Sequence, residues 1–270
     1  MDSPYSDLLR PPLRPRELAR ALAVPGGLWR EIRVLPETGS TNADAVRAAR
    51  DGAPEGLVIV AESQTAGRGR LDRAWVAPPR SGLTFSMLLR PAGVPVARWG
   101  WLPLLAGVGS CAAVSRLAEL EIGLKWPNDL FVHDRKLGGI LAERVDDAIV
   151  LGIGLNVTLR IDELPVPTAT SLALAGSACT DRDPLLRAML REIAEWYGRW
   201  RAAGGDPEAS GLRAAYRDRC VTLGRRVRVE LPAGRAVEGD AVDIDPAGHL
   251  VVRTAAGEER VGAGDVVHVR

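Results

Sequence analysis

From residue 227 onward the chain is cut into five short valine-rich stretches, at 227–231, 237–244, 250–254, 259–261 and 266–269, separated by closely spaced glycine and proline turns. Strands this short, joined by turns this tight, pair with one another rather than with a distant sheet. Their ~50 residues match a small β-barrel of SH3-like size. A boundary at 218–223 follows, and the 270 residues divide into about two units, as ~150 residues per domain would suggest.

The part before that boundary has a different texture. Strand patterns fall at 33–35, 57–61, 83–89, 123–126, 130–133, 137–145 and 149–157, with an Asp134–Arg135 turn between the fifth and sixth. Helical patterns fall at 41–50, closed by Gly52, at 99–120, rich in Ala and Leu, and at 184–201, amphipathic and ending near Trp196, Tyr197 and Trp200. Strands and helices mix without strict alternation, which predicts an α+β fold on a mixed β-sheet with packed helices. Six prolines precede Glu37, so the first ~25 residues read as a loosely ordered arm with one short helix around 16–23. The expected divisions are an arm at 1–28, a main domain at 29–220 and a β-barrel domain at 221–270.

Several chemistries are excluded. The sequence has no G-x-x-x-x-G-K-[ST], no G-x-S-x-G and no H-E-x-x-H, and His133, His249 and His268 stand apart. Three cysteines fit neither a disulfide framework nor a zinc site, and Cys111, in an apolar run, reads as a small core residue. The N-terminus carries Asp2, Asp7 and prolines with no apolar run, and nowhere do ~18 apolar residues follow one another, so neither a leader nor a membrane span is expected. The expectation is a reduced, cytoplasmic protein.

What remains is chemistry by Arg, Lys, Asp and amides, and composition narrows it. With 35 Lys+Arg against 34 Asp+Glu the chain is no general polyanion binder. Only Lys125 and Lys136 are lysines, Asn42, Asn128 and Asn156 the only asparagines, and Gln64 the only glutamine. Residues that survive so strong a compositional bias are candidates for function. Gly39-Ser40-Thr41-Asn42 opens the first helix: Thr41 and Asp44 fit a capping box, while free N–H groups and hydroxyls there can also hold a polar ligand. Gln64-Thr65-Ala66-Gly67-Arg68-Gly69-Arg70 follows an apolar strand. Residues 63–90 hold five arginines (68, 70, 73, 80, 90) and one acid, Asp72. A glycine loop with guanidinium forks suits a phosphate, each charge pair at ~4 Å contributing about 4 kcal/mol before desolvation at an effective dielectric of ~20. Trp75 offers a flat face for a base. Lys125-Trp126-Pro127-Asn128-Asp129 closes a strand, Lys136-Leu137-Gly138-Gly139-Ile140-Leu141 opens another, and Leu151-Gly152-Ile153-Gly154-Leu155-Asn156 ends in an amide. Each has a plain alternative: an exposed basic loop, a tight turn in a hairpin, a bulged strand.

Taken in order and at these spacings, GSTN, QTAGRGR, KWPNDL with KLGGIL, and GIGLNV resemble the biotin–protein ligases, and the small C-terminal β-domain is similar to theirs. The resemblance covers 39–157 in detail. It implies a class II synthetase-like catalytic fold with an SH3-like C-terminal barrel, and a ligase that joins biotin to ATP and passes the biotinyl group to one lysine of an acceptor. By resemblance Ser40, Thr41 and Gln64 hold the ureido ring, with Asn42 and Gly69 in the same biotin site. Arg68 and Arg70 hold phosphates and order the loop, and Lys136 bridges carboxylate and α-phosphate. Asn128 and Asn156 suit adenine, with Trp75 stacking and Arg73 and Lys125 beside the nucleotide. Asp129 either binds Mg²⁺ or accepts the acceptor lysine's proton, and Lys125 is an ion-pair partner for it. ATP and Mg²⁺ are implied as cofactors. The implied partner is a biotin carboxyl carrier domain of an acetyl-CoA or acyl-CoA carboxylase, or a pyruvate carboxylase-type acceptor, with the ligase a monomer or weak homodimer.

Two departures stand out: Leu71-Asp72 places an acid in the arginine loop, and 158–170, with Asp162, Glu163, Pro165 and Pro167 but no tryptophan, reads as a mobile flap. With GSTN starting at residue 39, no room is expected for a winged helix of ~60 residues, hence no operator binding. The competing readings are a lipoate–protein ligase of similar adenylation logic and a non-catalytic nucleotide- or RNA-binding module.

Overall fold

The computed structural model describes residues 10–71, 73–231 and 235–269. Asp72, the acid expected to disturb the arginine loop, lies outside the described residues. Seven strands form one sheet: β1 (Glu31–Leu35), β2 (Leu57–Ala61), β3 (Gly82–Leu89), β4 (Gly123–Lys125), β5 (Asp129–Val132), β6 (Arg135–Val145) and β7 (Ala148–Asn156), in the order β1-β2-β3-β7-β6-β5-β4. The β1–β2 pair is parallel and every other pair antiparallel, so the sheet is mixed as expected.

Alternation of side chains across β7 explains the layers. Leu151, Ile153 and Leu155 face the main core, where α3 (Trp101–Ala118) and α4 (Arg182–Ala202) cover the sheet. On the other face α2 (Thr41–Arg50) packs Ala45 and Ala49 on Leu57, Ile59, Leu88 and Val150. Beyond α2 that face carries Gly152, Gly154 and Asn156, so two of its positions have no side chain, and a cavity lies over them. Helix α3 is long and apolar enough by composition to cross a membrane, but 72% of it is buried in this fold.

The segment expected as a loose arm is built in over residues 10–22. Helix α1 (Pro15–Leu22) has proline in its first turn and sends Leu18 and Leu22 into the main core with Leu13. Helix α5 (Leu212–Arg219), which the sequence pattern did not suggest, buries Leu212 and Tyr216. The second sheet is antiparallel and SH3-like: β8 (Arg226–Glu230), β9 (Ala236–Ile244), β10 (Leu250–Thr254), β11 (Gly257–Val261) and β12 (Asp265–His268), in the order β11-β10-β9-β8-β12. Buried indoles fasten it to the first. Trp101 donates to the Pro246 carbonyl at 2.8 Å and Trp126 to that of Gly248 at 3.0 Å. One apolar core runs through both, from Leu151 to Val252.

Candidate functional site

A cavity of about 1060 Å³ opens on the α2 face of the large sheet, and all fourteen residues expected at the site line it. So do both lysines, all three asparagines and the one glutamine of the chain. Its floor is glycine. A Cβ on Gly152 would fall 2.0 Å from Asn42 Oδ1, one on Gly154 would fall 2.3 Å from the Trp75 ring, and one on Gly139 would lie 3.5 Å from Lys136 Nζ. Gly139 and Gly154 are direct partners on β6 and β7. The ammonium and the indole therefore stand over neighbouring strands ~5 Å apart, and Asn42 stands two residues, ~7 Å, along β7.

At one end the groups are neutral and buried. The α2 cap is Ser40, whose Oγ accepts from Ala43 N at 3.4 Å. This corrects the expected Thr41–Asp44 box: Asp44 instead takes the Thr38 hydroxyl at 2.5 Å, and Thr41 is released toward the site. Gln64 Oε1 accepts from Thr41 N at 2.9 Å and Thr41 Oγ1 at 3.1 Å, which turns its Nε2 the other way. Ser86 Oγ lies 2.8 Å from Thr41 Oγ1 and 2.5 Å from Asn42 Oδ1, and Asn42 Nδ2 donates to Glu143 at 2.9 Å. Ser86 and Glu143 were missed from the sequence, although a hydroxyl inside the apolar Gly82–Leu89 strand was a visible signal.

The other end is charged. The loop folds on itself through an Arg68–Ala74 bridge and a Gly69 N to Arg73 O bond, with Leu71 in a left-handed conformation at φ 53°. Arg68 pairs with Glu143 at 3.2 Å, Arg73 with Asp265, and Arg70 Nη1 donates to Asn128 Oδ1 at 2.8 Å, with the Gly264 carbonyl at 3.4 Å from Nη2. Burial lowers the pKa of both Arg70 and Lys125; for Lys125, nearby Asp129 opposes the shift and Lys136 adds to it. Lys125 is not the partner of Asp129, as had been expected. It lies 5.2 Å above the Phe131 ring, and Lys136 Nζ sits 2.7 Å from Asp129 Oδ1, at ion-pair distance but off a hydrogen-bond line. Asn128 spends its Nδ2 on the Ile140 carbonyl at 3.0 Å, whereas Asn156 donates to the Thr170 carbonyl at 2.9 Å and no described residue bonds its Oδ1.

The second sheet supplies Asp265, Val267, His268 and Val269 to the wall, contacts no local sequence pattern reveals. Burial, with Lys125 and Arg225 nearby, pushes the His268 imidazole down to about 4. The segment read as a mobile flap is fastened. Lys136 N donates to Thr168 O, Thr170 N to Lys136 O, and buried Arg10 pairs with Glu163 at 2.5 Å while donating to Thr158 O at 2.8 Å.

Residues 34–159 match the biotin/lipoate A/B protein ligase family, and 222–269 match the biotin protein ligase C terminal domain. The chain is 46% identical to a biotin–[acetyl-CoA-carboxylase] ligase of Mycobacterium tuberculosis, over 98% of each chain. It is 30% identical to the bifunctional ligase/repressor BirA of Bacillus subtilis, over 84% of this chain and 70% of that one. Among solved structures it is similar to the biotin protein ligase of Aquifex aeolicus in complex with biotin and ATP, at a TM-score of 0.74 and 29% identity, covering 90% of this chain and 100% of that one. The motifs, the two-sheet fold and a near full-length relative agree: the chain is a biotin–protein ligase of the biotin/lipoate A/B protein ligase family.

Proposed function

We propose that this ligase adenylates biotin with ATP and then biotinylates a lysine of a carboxyl carrier domain of an acetyl-CoA or acyl-CoA carboxylase. The observation that carries the reading is the division of one cavity into a neutral end and a charged end, with Lys136 on the charged side where the two meet. A cyclic urea offers one carbonyl acceptor and two N–H donors. Gln64 Nε2, turned outward by its own carbonyl's bonds, supplies a donor, and the Thr41 and Ser40 oxygens supply acceptors. At the other end a carboxylate oxygen has to meet an α-phosphorus, both anionic. Lys136, a compact ammonium held beside Asp129, offsets that repulsion, while Arg68 and Arg70 suit the phosphates.

The carboxylate oxygen bonds to the α-phosphorus and pyrophosphate leaves. The acceptor amine then bonds to the acyl carbon, AMP leaves on the oxygen that breaks, and the amine's proton goes to a base for which Asp129 is the nearest carboxylate to Lys136. Asn156 Oδ1 suits an exocyclic amine of the base. Asn42 and Asn128, whose amides are spent on protein partners, support the site from behind. Trp75, whose ring stands over Gly154, offers a flat face on which the base can stack.

For Mg²⁺, the described residues contain no group of three or more His, Cys, Asp or Glu able to hold a metal. Of the carboxylates that line the cavity, Asp129, Asp134 and Asp265, the one beside Lys136 is Asp129, which fits an ion that phosphates and water hold for the most part. Bound, it would neutralise phosphate charge.

ATP–pyrophosphate exchange, run with biotin and separately with lipoate or octanoate, tests the substrate. Exchange with biotin alone is expected, and exchange with lipoate alone would overturn the reading. Transfer of labelled biotin to a carrier domain tests the second step.

A further inference from the structure

The charged end has a second wall, which begins where the first sheet meets the second. Its anchor is Thr222, a fully buried residue. Thr222 Oγ1 accepts from Trp126 N at 3.1 Å and lies 3.5 Å from His268 Nε2, and the Thr222 carbonyl accepts from Arg225 N at 3.3 Å. One buried threonine thus gathers the backbone beside Lys125, the imidazole of His268 and the start of Arg225. All three side chains line the cavity.

Their place in the sheet gives an order. Phe131 of β5 pairs with Lys136 of β6, and the Lys125 ammonium, from β4, lies 5.2 Å above the Phe131 ring. Asn42 stands over β7 and Ser86 lies on β3, so Lys125 is further from the neutral end than Lys136. Arg225 faces Asp134 of the β5–β6 turn at 2.8 Å, with 41% and 72% of the two side chains exposed. A pair so open to water is weak and easily exchanged. No described carboxylate stands at ion-pair distance from Lys125, which is partly buried. Burial lowers its pKa against the pull of Asp129 and Asp265, and repulsion from Lys136 and Arg225 adds to the shift.

Adenylation moves charge in this direction. As the carboxylate oxygen bonds to the α-phosphorus, the bond to the bridging oxygen breaks and its electron pair leaves on that oxygen. Negative charge therefore grows on the β side, away from the bound acid. With Lys136 at the α-phosphate, the next cationic groups along the wall are Lys125 and Arg225, with the His268 imidazole beside them.

We propose that Lys125, Arg225 and His268 form a polyphosphate subsite across the two sheets, which holds the β- and γ-phosphates of ATP and then the pyrophosphate that leaves. This rests on the reading of the charged end as the site of adenylation. The competing occupant is an acidic face of the acceptor protein. A partly buried ammonium and imidazole that line the cavity, with Thr222 behind them, suit the small anion better.

Two reactions of the full chain separate these occupants. One is ATP–pyrophosphate exchange with biotin, ATP and pyrophosphate varied in turn. The other is transfer to a carrier domain from supplied biotinyl-5'-adenylate, with no pyrophosphate present. Arg225→Ala is expected to raise the KM for pyrophosphate and for ATP about tenfold, as for loss of one charge-assisted contact. The KM for biotin, and transfer from the adenylate, should stay within twofold. Arg225→Lys keeps a charge and should recover most of the loss. An unchanged pyrophosphate KM in Arg225→Ala overturns the inference. Normal exchange with a raised KM for the carrier domain also overturns it and gives this wall to the acceptor. Equal losses in both reactions mark a structural role and overturn it too. If Arg225→Ala does not fold, Lys125→Met decides by the same measurements. A wild type that shows no exchange with biotin overturns the functional reading and this inference together. An active wild type with an unaltered Arg225→Ala variant overturns this inference alone.

Discussion

The two ends of the cavity are built by different rules. At the neutral end Ser40, Thr41, Asn42 and Ser86 are buried, come from α2 and β3, and satisfy one another through short contacts before any ligand arrives. At the charged end Arg68, Arg73 and Lys136 keep substantial exposure, come from a loop and a hairpin, and are paired with acids: Glu143, Asp265 and Asp129. A ring of fixed shape is best met by a preorganised array, since nothing then has to be ordered on binding. Reactants whose charge moves between oxygens are better met by cations that can exchange partners. The fold gives the first task to a helix N-terminus on a sheet, and the second to segments that can shift.

The largest expected effect breaks the charged end. Lys136→Arg keeps the charge but replaces a compact ammonium with a planar fork. Packed over Gly139 beside Asp129, the fork cannot sit where Nζ does. Adenylation, followed by pyrophosphate exchange, should fall by about 10²–10³-fold, the range for loss of one preorganised donor at a reacting oxygen. Biotin binding without ATP, measured by calorimetry, should change little. Normal adenylation would show that charge alone is enough there.

The neutral end breaks through its floor. In Gly152→Ala the new methyl would fall on Asn42 Oδ1, and the buried network has no slack to absorb it. Overpacking of this kind costs about 1–3 kcal/mol, hence roughly 5- to 160-fold in biotin affinity. ATP affinity should stay within a few-fold, because Asn156 and Arg70 stand elsewhere. If both affinities fell together, the two ends would not be separate structures.

These contrasts also show what the sequence could convey. Scarce residue types were a sound guide to place, since every Lys, Asn and Gln lines the cavity. They were a poorer guide to role: Asn42 and Asn128 are spent on Glu143, Ser86, Arg70 and Ile140, and a local pattern cannot say which way an amide points. The sheet was legible because its strands alternate or run apolar. Helix α5 and the ordered start of the chain were not, because Leu13, Leu18 and Leu212 acquire their meaning only from partners far along the chain. The same holds for Asp265 and His268, which reach the site only because two tryptophans dock the second sheet.

A smaller effect is expected where the ends meet. Residues 165–169 border the cavity, and the segment is held by Arg10 and Arg160 on Glu163. Arg10→Ala leaves Glu163 with the more exposed Arg160, so a loss of about 1–3 kcal/mol in urea unfolding is expected, below that of a fully orphaned buried charge. Because the segment pairs with Lys136 in the middle of the floor, the KM values for biotin and ATP should rise by similar factors. The hydrogen bond from Arg10 is the first cause holding the Glu163 carboxyl below its ordinary value. That stabilisation is present above about 4.5 and is lost as pH falls further, so wild type and variant should converge in acid.

The smallest effect tests whether the second sheet belongs to the charged end. His268 Nε2 lies 3.5 Å from Thr222 Oγ1, and burial, followed by the charges of Lys125 and Arg225, lowers its pKa from 6.5 to about 4. The unfolded chain therefore binds a proton between these values that the folded protein refuses. Its contribution to stability is complete above 6.5 and is lost as pH falls toward 4, the direction expected of a base whose folded pKa is depressed. The imidazole is only partly buried, so screening should hold the loss to about 1 kcal/mol or less. His268→Gln carries no such proton, and its Tm should fall less than that of wild type between pH 6.5 and 4.5. ATP, by adding negative charge beside Lys125, should lift the imidazole's pKa and narrow the difference. A gap that biotin narrowed and ATP did not would place His268 at the neutral end and undo the division of the cavity proposed above.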